Sequence, residues 1–277
     1  MRRVLFAFTV FAVASVSVAE VPLVTVNVNV ATNVVDDAQA AEKAAAEKAA
    51  AEKAAAEKAA AEAAAAQAAR IDAARKRSRL VVKQLIADLK PVPGKAYLLG
   101  RTEVTAEQWH AVMKPDVPFV GDATLPVSGV SWNDCQDFIK RLNERRETEA
   151  AGLAFRLPTI KEWRHACLAG AKGKWGFVAP KTVGKLDAMG WYVGNSGNRK
   201  SAVGKKMPNA WGFADMHGGV FEWCADISPE YGGDFRVRAG GSFRSVAEQC
   251  SAWFTNSANR EFSRYDDQGC RLLAERY

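Results

Sequence analysis

Histidine is scarce in this chain of 277 residues, which contains only three. His110, His165 and His217 stand far apart, and the sequence has no HxxxH pair, no CxxC pair and no P-loop. Histidine-based metal centres, zinc ribbons and P-loop nucleotide sites are therefore not expected. Each of the three histidines is interpreted as an isolated surface or core residue.

Cysteine is also limited, with five residues that all lie between positions 135 and 270. An odd number leaves at least one thiol unpaired if disulfides form. No cysteine lies near Ala19, which argues against lipoprotein processing at the N-terminus.

Long apolar runs are missing except at the N-terminus. Residues 1–19 read as a secretory signal peptide, with MRR, then VLFAFTVFAVASVSV, then a small-residue site before Glu20. The run is only about 15 residues, which is short for a spanning helix. A membrane anchor is the alternative. The sequence predicts a periplasmic or secreted protein with no transmembrane span after signal removal, in a compartment that permits disulfides.

Basic residues exceed acidic ones, and the formal net charge is +7. Part of the excess is concentrated in Arg75, Lys76, Arg77 and Arg79. A nucleic-acid partner would require a recognised binding module as well as a basic face, and the sequence contains none. We interpret these residues as a solvated helix face and expect no nucleic-acid partner.

An AEKAA repeat dominates residues 38–69. Alanine, glutamate and lysine are strong helix formers. A period of five rotates successive repeats by about 140° around the axis, so no coiled-coil seam forms. We predict a helical spacer over 38–90, of which about 40 residues would span about 60 Å. A flexible low-complexity linker is the alternative.

The segments flanking the repeat differ in character. Residues 20–37 alternate apolar and polar side chains and are interpreted as a flexible or edge segment. The end of the spacer has an apolar side that is expected to dock on the following domain. That side consists of Ile71, Leu80, Val81, Leu85, Ile86 and Leu89. Pro91, Pro93 and Gly94 then mark the boundary of a globular domain over 91–277.

Within 91–277, the spacing of polar residues predicts three helix N-termini. A Ser or Thr followed three positions later by a side chain that can bond back is a capping box. Such pairs are Thr105 with Gln108, Ser131 with Asp134, and Thr159 with Glu162. The segment AYLLG, ending at Gly100, reads as a strand. Few helices, short strands and many loops indicate an α+β domain.

The stretch GFADMHGGVFEW, residues 212–223, concentrates two carboxylates, a glycine pair and two large aromatics. Asp215 and Glu222, with main-chain carbonyls between them, supply the oxygen ligands that calcium prefers. The alternative is a turn into a core strand, with Asp215 capping the turn.

This stretch resembles the GLYDMxGNVWEW signature of the sulfatase-modifying-factor family, which includes formylglycine-generating enzymes. The resemblance extends from Ala96 to Leu273, with further motifs in the family's order. These are TEVTAEQWHAVM (102–113), PVSGVSWNDCQDFIKRLN (126–143), RLPTIKEWRHAC (156–167), VGNSGN (193–198), RVRAGGSF (236–243) and GCRL (269–272). It implies a loop-rich, variant C-type-lectin-like fold preceded by the long Ala/Glu/Lys helix.

The resemblance also implies a calcium site. In the family, the ion is bound by the positions matched here by the Asp215 and Glu222 side chains and by the Gly218 and Val220 carbonyls. Oxygen ligands of these types suit calcium, which we expect as a cofactor. One departure is Gly219, where the family usually has asparagine.

Catalysis in formylglycine-generating enzymes uses a copper held by two thiolates, two and seven residues after a GGSY-type tetrapeptide. Here that tetrapeptide is GGSF, and the two positions are Ser245 and Cys250. A hydroxyl does not replace a thiolate for Cu(I), so copper is not expected. Ser242 and Cys250 match functional positions and are the candidate catalytic residues, so whether the chain is an enzyme stays open at this point.

Family disulfides suggest pairings for the cysteines. The resemblance implies Cys167–Cys250 and Cys135–Cys270, leaving Cys224 free. The rival pattern pairs Cys224 with Cys250 or with Cys167. Each bond of the first pattern closes a long loop and is expected to stabilise the fold by roughly 3–5 kcal/mol.

Three functions remain in competition. The first is a non-catalytic exported module that binds a protein partner or regulates it in the cell envelope, with the spacer setting its reach. The second is an oxidoreductase of the formylglycine-generating type that oxidises a cysteine in an exported substrate with O2. The third is a structural envelope protein. The missing thiolate and the spacer favour the first.

Overall fold

The computed structural model describes residues 29–176, 182–254 and 258–277. The predicted signal peptide, residues 1–19, lies outside the described residues. The chain divides after Ala63 into two compact units, which we describe separately. No helix in the described part of the chain is both long and apolar enough to cross a membrane.

A single helix, α1, runs from Asn29 to Ala87. It begins before the predicted position 38, so residues 29–37 are helical rather than extended. A lone alternating segment has no strand partner, whereas lengthening an existing helix adds one hydrogen bond for each residue fixed. In the repeat, four Lys–Glu pairs at i,i+4 stand 3.9–4.0 Å apart on exposed side chains, so each adds little.

The second unit begins at Ala64 and therefore includes the last part of α1, ahead of the predicted boundary at residue 91. The buried face of this part consists of Ala74, Ser78, Val81, Val82 and Leu85, which recur at helical spacing. Leu80, assigned to the apolar side from sequence, is instead 47% exposed. It is one position out of phase with this face.

The other helices of this unit are short. They are α2 (Ala106–Met113), α3 (Trp132–Asn143), α4 (Arg146–Ala150), α5 (Ile160–Leu168) and α6 (Thr182–Met189). The three predicted capping boxes are confirmed at the starts of α2, α3 and α5, with the side-chain and backbone bonds present in both directions. A 3₁₀ turn covers Ala247–Cys250.

Eight short strands form two sheets. They are β1 (Leu89–Pro91), β2 (Tyr97–Gly100), β3 (Leu153–Arg156), β4 (Phe221–Ile227), β5 (Phe235–Ala239), β6 (Ala258–Arg260), β7 (Gln268–Gly269) and β8 (Leu273–Arg276). One sheet has the order β1-β2-β8-β3 and is antiparallel. The other has the order β6-β5-β4-β7, with β7 parallel to β4. The predicted loop-rich α+β class is confirmed.

Strand β4 lies between β5 and β7, where Glu222 is opposite Ala239 on one side and Gly269 on the other. Two apolar clusters flank the strand. Trp223 packs in one with Phe138 and Leu272, and Cys224 packs in the other with Trp163. The carboxylate of Glu222 is therefore held in a core, where a charge requires a partner.

Candidate functional site

The turn that precedes β4 is held in a backbone conformation that suits glycine. Gly218 has φ +94° and Gly219 has φ +73°. A Cβ on Gly218 would lie 1.9 Å from the carbonyl oxygen of Trp191. The Gly218 N–H donates to the Gly240 carbonyl over 2.7 Å, and the Phe243 N–H donates to the Gly219 carbonyl over 2.7 Å. These bonds join the turn to the tetrapeptide Gly240–Phe243.

Glu222 is 1% exposed and is bound by a guanidinium. Its Oε1 accepts from Nη2 of Arg271 over 2.7 Å, and its Oε2 accepts from Nε of Arg271 over 2.9 Å. Oε2 also accepts from Nε1 of Trp163 over 2.6 Å. Arg271 is itself fully buried and donates to the carbonyls of Gly100 and Ala214. Each buried charge therefore has the opposite charge and at least one further hydrogen-bond partner to offset the loss of water.

Two further carboxylates lie close to this pair. Glu103 accepts from the Val220 N–H over 2.7 Å, and Asp215 accepts from the Gly204 N–H over 2.5 Å through Oδ2. Burial raises the pKa of Glu103 well above its usual range, and the charges of Asp215 and Glu222 add to the effect. Burial likewise raises the pKa of Asp215.

The carboxylate of Glu103 lies close to the backbone of Gly219. A Cβ at that position would lie 2.2 Å from Oε1 of Glu103. A side chain there would displace the carboxylate from the Val220 N–H.

The predicted calcium ligands fit an ion only in part. Oδ1 of Asp215 is buried and has no hydrogen-bond partner among the described residues, as a cation ligand would be. Glu222, in contrast, has both oxygens occupied by Arg271 and Trp163. Across the described ranges, no three His, Cys, Asp or Glu side chains are placed to share a metal ion. The calcium site of Asp215, Gly218, Val220 and Glu222 stays a prediction, and the geometry disfavours Glu222 as a ligand.

The candidate catalytic residue Ser242 belongs to a network of hydroxyl groups. Its Oγ donates to Oδ2 of Asp267 over 2.9 Å and lies 3.3 Å from Oγ of Ser245. Oγ of Ser245 accepts from the Ser242 N–H over 3.0 Å. Ser242 is fully buried and Ser245 is 4% exposed. We call Ser242, Ser245 and Asp267 the serine network.

Cys250, the other candidate catalytic residue, is fully buried at the end of the 3₁₀ turn. Its thiol packs against Gly241, where a Cβ would lie 2.7 Å from the sulfur. Burial raises the pKa of Cys250 to about 12, so the sulfur is a thiol at neutral pH. One buried thiol and a hydrogen-bonded hydroxyl are not the two thiolates that Cu(I) prefers. These residues do not fit the copper site.

His217, interpreted from the sequence as a surface or core residue, is buried in the core. Its Nδ1 lies 2.8 Å from the Cys250 carbonyl, and its Nε2 accepts from the Gly176 N–H over 3.3 Å. Nδ1 must therefore carry the proton of a neutral ring. Burial lowers the pKa of His217 to about 4. The Cys167 thiol lies 3.8 Å from Nε2, so His217 stands beside both Cys167 and the backbone of Cys250.

All five cysteines are buried and free. The implied Cys167–Cys250 and Cys135–Cys270 bonds are thus not formed in the structure. Cys135 and Cys270 nevertheless touch: burial and a hydrogen bond with the Cys270 thiol raise the pKa of Cys135 well above its usual range. Both pairings stay predictions for the oxidised chain.

Sequence reasoning assigned no role at this site to four residues that build it, namely Glu103, His217, Asp267 and Arg271. Glu103, His217 and Arg271 lie inside the quoted motifs TEVT, GFADMHGGVFEW and GCRL, so the motifs contained them without assigning a role. Asp267 lies in a loop with no motif. Glu103, His217 and Arg271 are buried through contacts that are distant in sequence and so have no local signal, whereas Asp267 is only half-buried.

The second unit is a loop-rich α+β scaffold that presents ordered loops at its surface. Its glycine turn is supported by the buried Glu222–Arg271 pair. Residues 58–276 match the sulfatase-modifying factor enzyme 1-like domain. This match covers most of the chain, which therefore belongs to that family, and the predicted resemblance is confirmed.

Relatives of the chain include proteins with and without the family's activity. It is 26% identical over 200 residues to the formylglycine-generating enzyme of Mus musculus, covering 62% of this chain and 50% of that protein. It is 33% identical over 133 residues to the inactive C-alpha-formylglycine-generating enzyme 2 of Mus musculus, covering 45% of this chain and 39% of that protein. The chain thus spans half or less of these relatives.

Among solved structures, the chain is similar to Treponema denticola variable protein 1. The TM-score is 0.53 at 27% identity, over 69% of this chain and 91% of that one. The likeness to a solved structure agrees with the fold assignment.

Proposed function

We propose that this chain is a non-catalytic binding or regulatory module of the cell envelope, built on a sulfatase-modifying-factor scaffold and carried on a helical spacer. The serine network is the observation that carries the proposal. At the position where the family's resemblance implies a copper thiolate, Ser245 holds the Ser242 backbone, and Ser242 in turn bonds Asp267. The mouse relatives include a formylglycine-generating enzyme and an inactive one, so they are consistent with both candidate functions.

The second candidate is an oxidoreductase that oxidises a cysteine of an exported substrate with O2. It is favoured by Cys250 and Ser242, which keep the residue types that the family uses at matched positions. It requires Cys250 to give up a proton in an environment that raises its pKa to about 12. It also requires a second soft ligand, which Ser245 does not supply.

Copper affinity and turnover distinguish the two functions. We expect the full chain, titrated anaerobically with Cu(I) against a competing chelator, to show no tight site. After O2 is admitted, it should form no aldehyde on a cysteine-containing peptide of the sulfatase type. The matched variant Ser245→Cys restores the missing thiol and is expected to bind Cu(I) at least about tenfold more tightly than the parent.

Aldehyde formation by the unmodified chain would overturn the non-catalytic proposal. A tight Cu(I) site that Cys250→Ser removes would do the same, since it would show that a second ligand completes the site. If Ser245→Cys gains no copper affinity, the alignment of the serine network with the copper position is wrong.

We also propose a calcium ion at the turn, with a smaller ligand set than the sequence predicts. Asp215 is the carboxylate ligand, beside the Gly218 and Val220 carbonyls. The unpartnered, buried Oδ1 of Asp215 supports it. We expect the melting temperature of the full chain to be higher in millimolar calcium than in EGTA, because an ion that binds only the folded state stabilises it. Asp215→Asn should remove this difference, and Asp122→Asn, on an exposed loop, should keep it.

An equal melting temperature in calcium and EGTA would contradict the calcium proposal. In that case Arg271, with Arg101 near Asp215, would supply the positive charge of the cluster. Magnesium serves as the ion control, since it prefers a stricter octahedral geometry than an irregular loop provides.

A further inference from the structure

A cleft of about 340 Å³ lies within the second unit, between the last part of α1 and helix α2 with the loop that follows it. Its walls are mostly apolar. They include Ala73, Ala74 and Val81 from α1, Ala111 from α2, and Val117 and Phe119 from the loop. The volume lies near the lower end of the range of small-molecule sites, roughly 300–1,000 Å³, so the cleft suits a small ligand.

The polar groups inside the cleft are already bound to one another. Oγ of Ser78 donates to the Ala111 carbonyl over 2.6 Å. Arg77 donates to both oxygens of Glu107, over 2.8 and 3.0 Å. Nε2 of His110 lies 2.9 Å from the Val117 carbonyl. The interior therefore offers a ligand apolar contact rather than free donors and acceptors.

The rim of the cleft, in contrast, carries unmatched positive charge. Arg70 and Lys114 line it and are exposed, and no acidic side chain in the described part of the chain lies within ion-pair distance of either. The one acidic residue of the lining, Glu107, is engaged by Arg77. An apolar interior with a cationic rim is complementary to a molecule that is apolar at one end and negative at the other.

We propose that this cleft binds a small amphiphilic anion, with a short apolar body between α1 and α2 and one carboxylate or phosphate head at Arg70 and Lys114. The site is separate from the turn and the serine network, and it uses a helix that precedes the domain's motif-bearing region. Binding there joins α1 to α2 through the ligand, so occupancy stabilises the docked end of α1.

Titration calorimetry on the full chain with octanoate tests the proposal, with octyl phosphate as the second head group and octanol as the uncharged control. We expect saturable one-site binding of at least one of the two anions, several-fold weaker binding of octanol, and loss of affinity as salt rises. Ala73→Phe fills the cleft from an exposed helix position and should weaken binding at least about tenfold. Lys114→Gln should weaken it about two- to fivefold, in the range of an exposed charge contact.

Two matched variants on the same helix control for non-specific effects. Ala69→Phe and Lys83→Gln change the same residue types outside the cleft, and both should bind octanoate like the parent. If neither anion binds saturably, or if octanol binds as tightly as the anions, the proposal is overturned. Equal binding by Ala73→Phe and Ala69→Phe would place the ligand elsewhere. Should Ala73→Phe not fold, the pair Lys114→Gln and Lys83→Gln still decides the outcome.

Discussion

Replacing Arg271 with methionine is expected to lower the free energy of unfolding by about 3–5 kcal/mol. The change leaves Glu222 buried without its guanidinium, next to the carboxylates of Glu103 and Asp215. It also leaves the Gly100 and Ala214 carbonyls without a donor. Urea denaturation of the parent and the variant, followed by tryptophan fluorescence, gives the difference.

The exposed pair of Arg264 and Asp134 provides the matched control, because it has similar two-point geometry at 2.6 and 2.7 Å. Arg264 is 58% exposed at the side chain, so Arg264→Met is expected to cost at most about 1 kcal/mol. In the double variant Arg271→Met with Glu222→Gln, the buried charge is gone, and the loss should be smaller than for Arg271→Met alone. A loss of under 1 kcal/mol for Arg271→Met would show that the pair does not hold the turn to the core.

Asn209→Ala is expected to cost about 3 kcal/mol, because one buried side chain makes four bonds. Its Nδ2 donates to the carbonyls of Ala166 and Cys167, at the end of α5. Its Oδ1 accepts from the N–H groups of Trp211 and Phe213, at the start of the glycine turn. The side chain thus ties the helix end to the segment that carries Asp215, and thermal or urea unfolding measures the loss.

We call these four bonds of Asn209 the clamp. Asn209→Asp separates its acceptor half, at Oδ1, from its donor half, at Nδ2. It keeps an acceptor for the two N–H groups but places carboxylate oxygen against two carbonyls, so it should destabilise at least as much as Asn209→Ala. Asn143→Ala is the comparison variant: Asn143 is exposed and makes two bonds to one residue, Phe155, so its loss should cost at most about 1.5 kcal/mol. Equal losses for Asn143→Ala and Asn209→Ala would contradict the clamp.

Local features of the fold were predictable because they depend on neighbouring residues. The boxes at Thr105, Ser131 and Thr159 each need a partner only three positions away, and all three form. The repeat fixes a helix through propensity alone. The family could be predicted from the order of the motifs, since they match one after another along the chain.

Long-range contacts were not predictable in the same way. Glu222 and Arg271 are far apart in sequence, so nothing local indicated that the carboxylate predicted to bind calcium would be neutralised by an arginine. The prediction that Leu80 lies on the docked side was wrong for a related reason. An apolar side chain indicates burial only if its helical phase matches the docked face. The helix start at Asn29 was missed since alternation reads as a strand even where no partner strand exists.

The burial of every cysteine decides when the sulfur chemistry of this chain is available. Four of the thiols, at Cys135, Cys167, Cys224 and Cys250, also have a pKa raised by burial, so they are slow nucleophiles as well as hidden ones. Oxidants and partner thiols therefore meet the sulfur atoms only while the chain is open, during synthesis or after unfolding. Disulfide cross-linking of this chain therefore depends on whether a molecule met an oxidant before folding or after unfolding. It does not depend on the redox conditions around the folded protein.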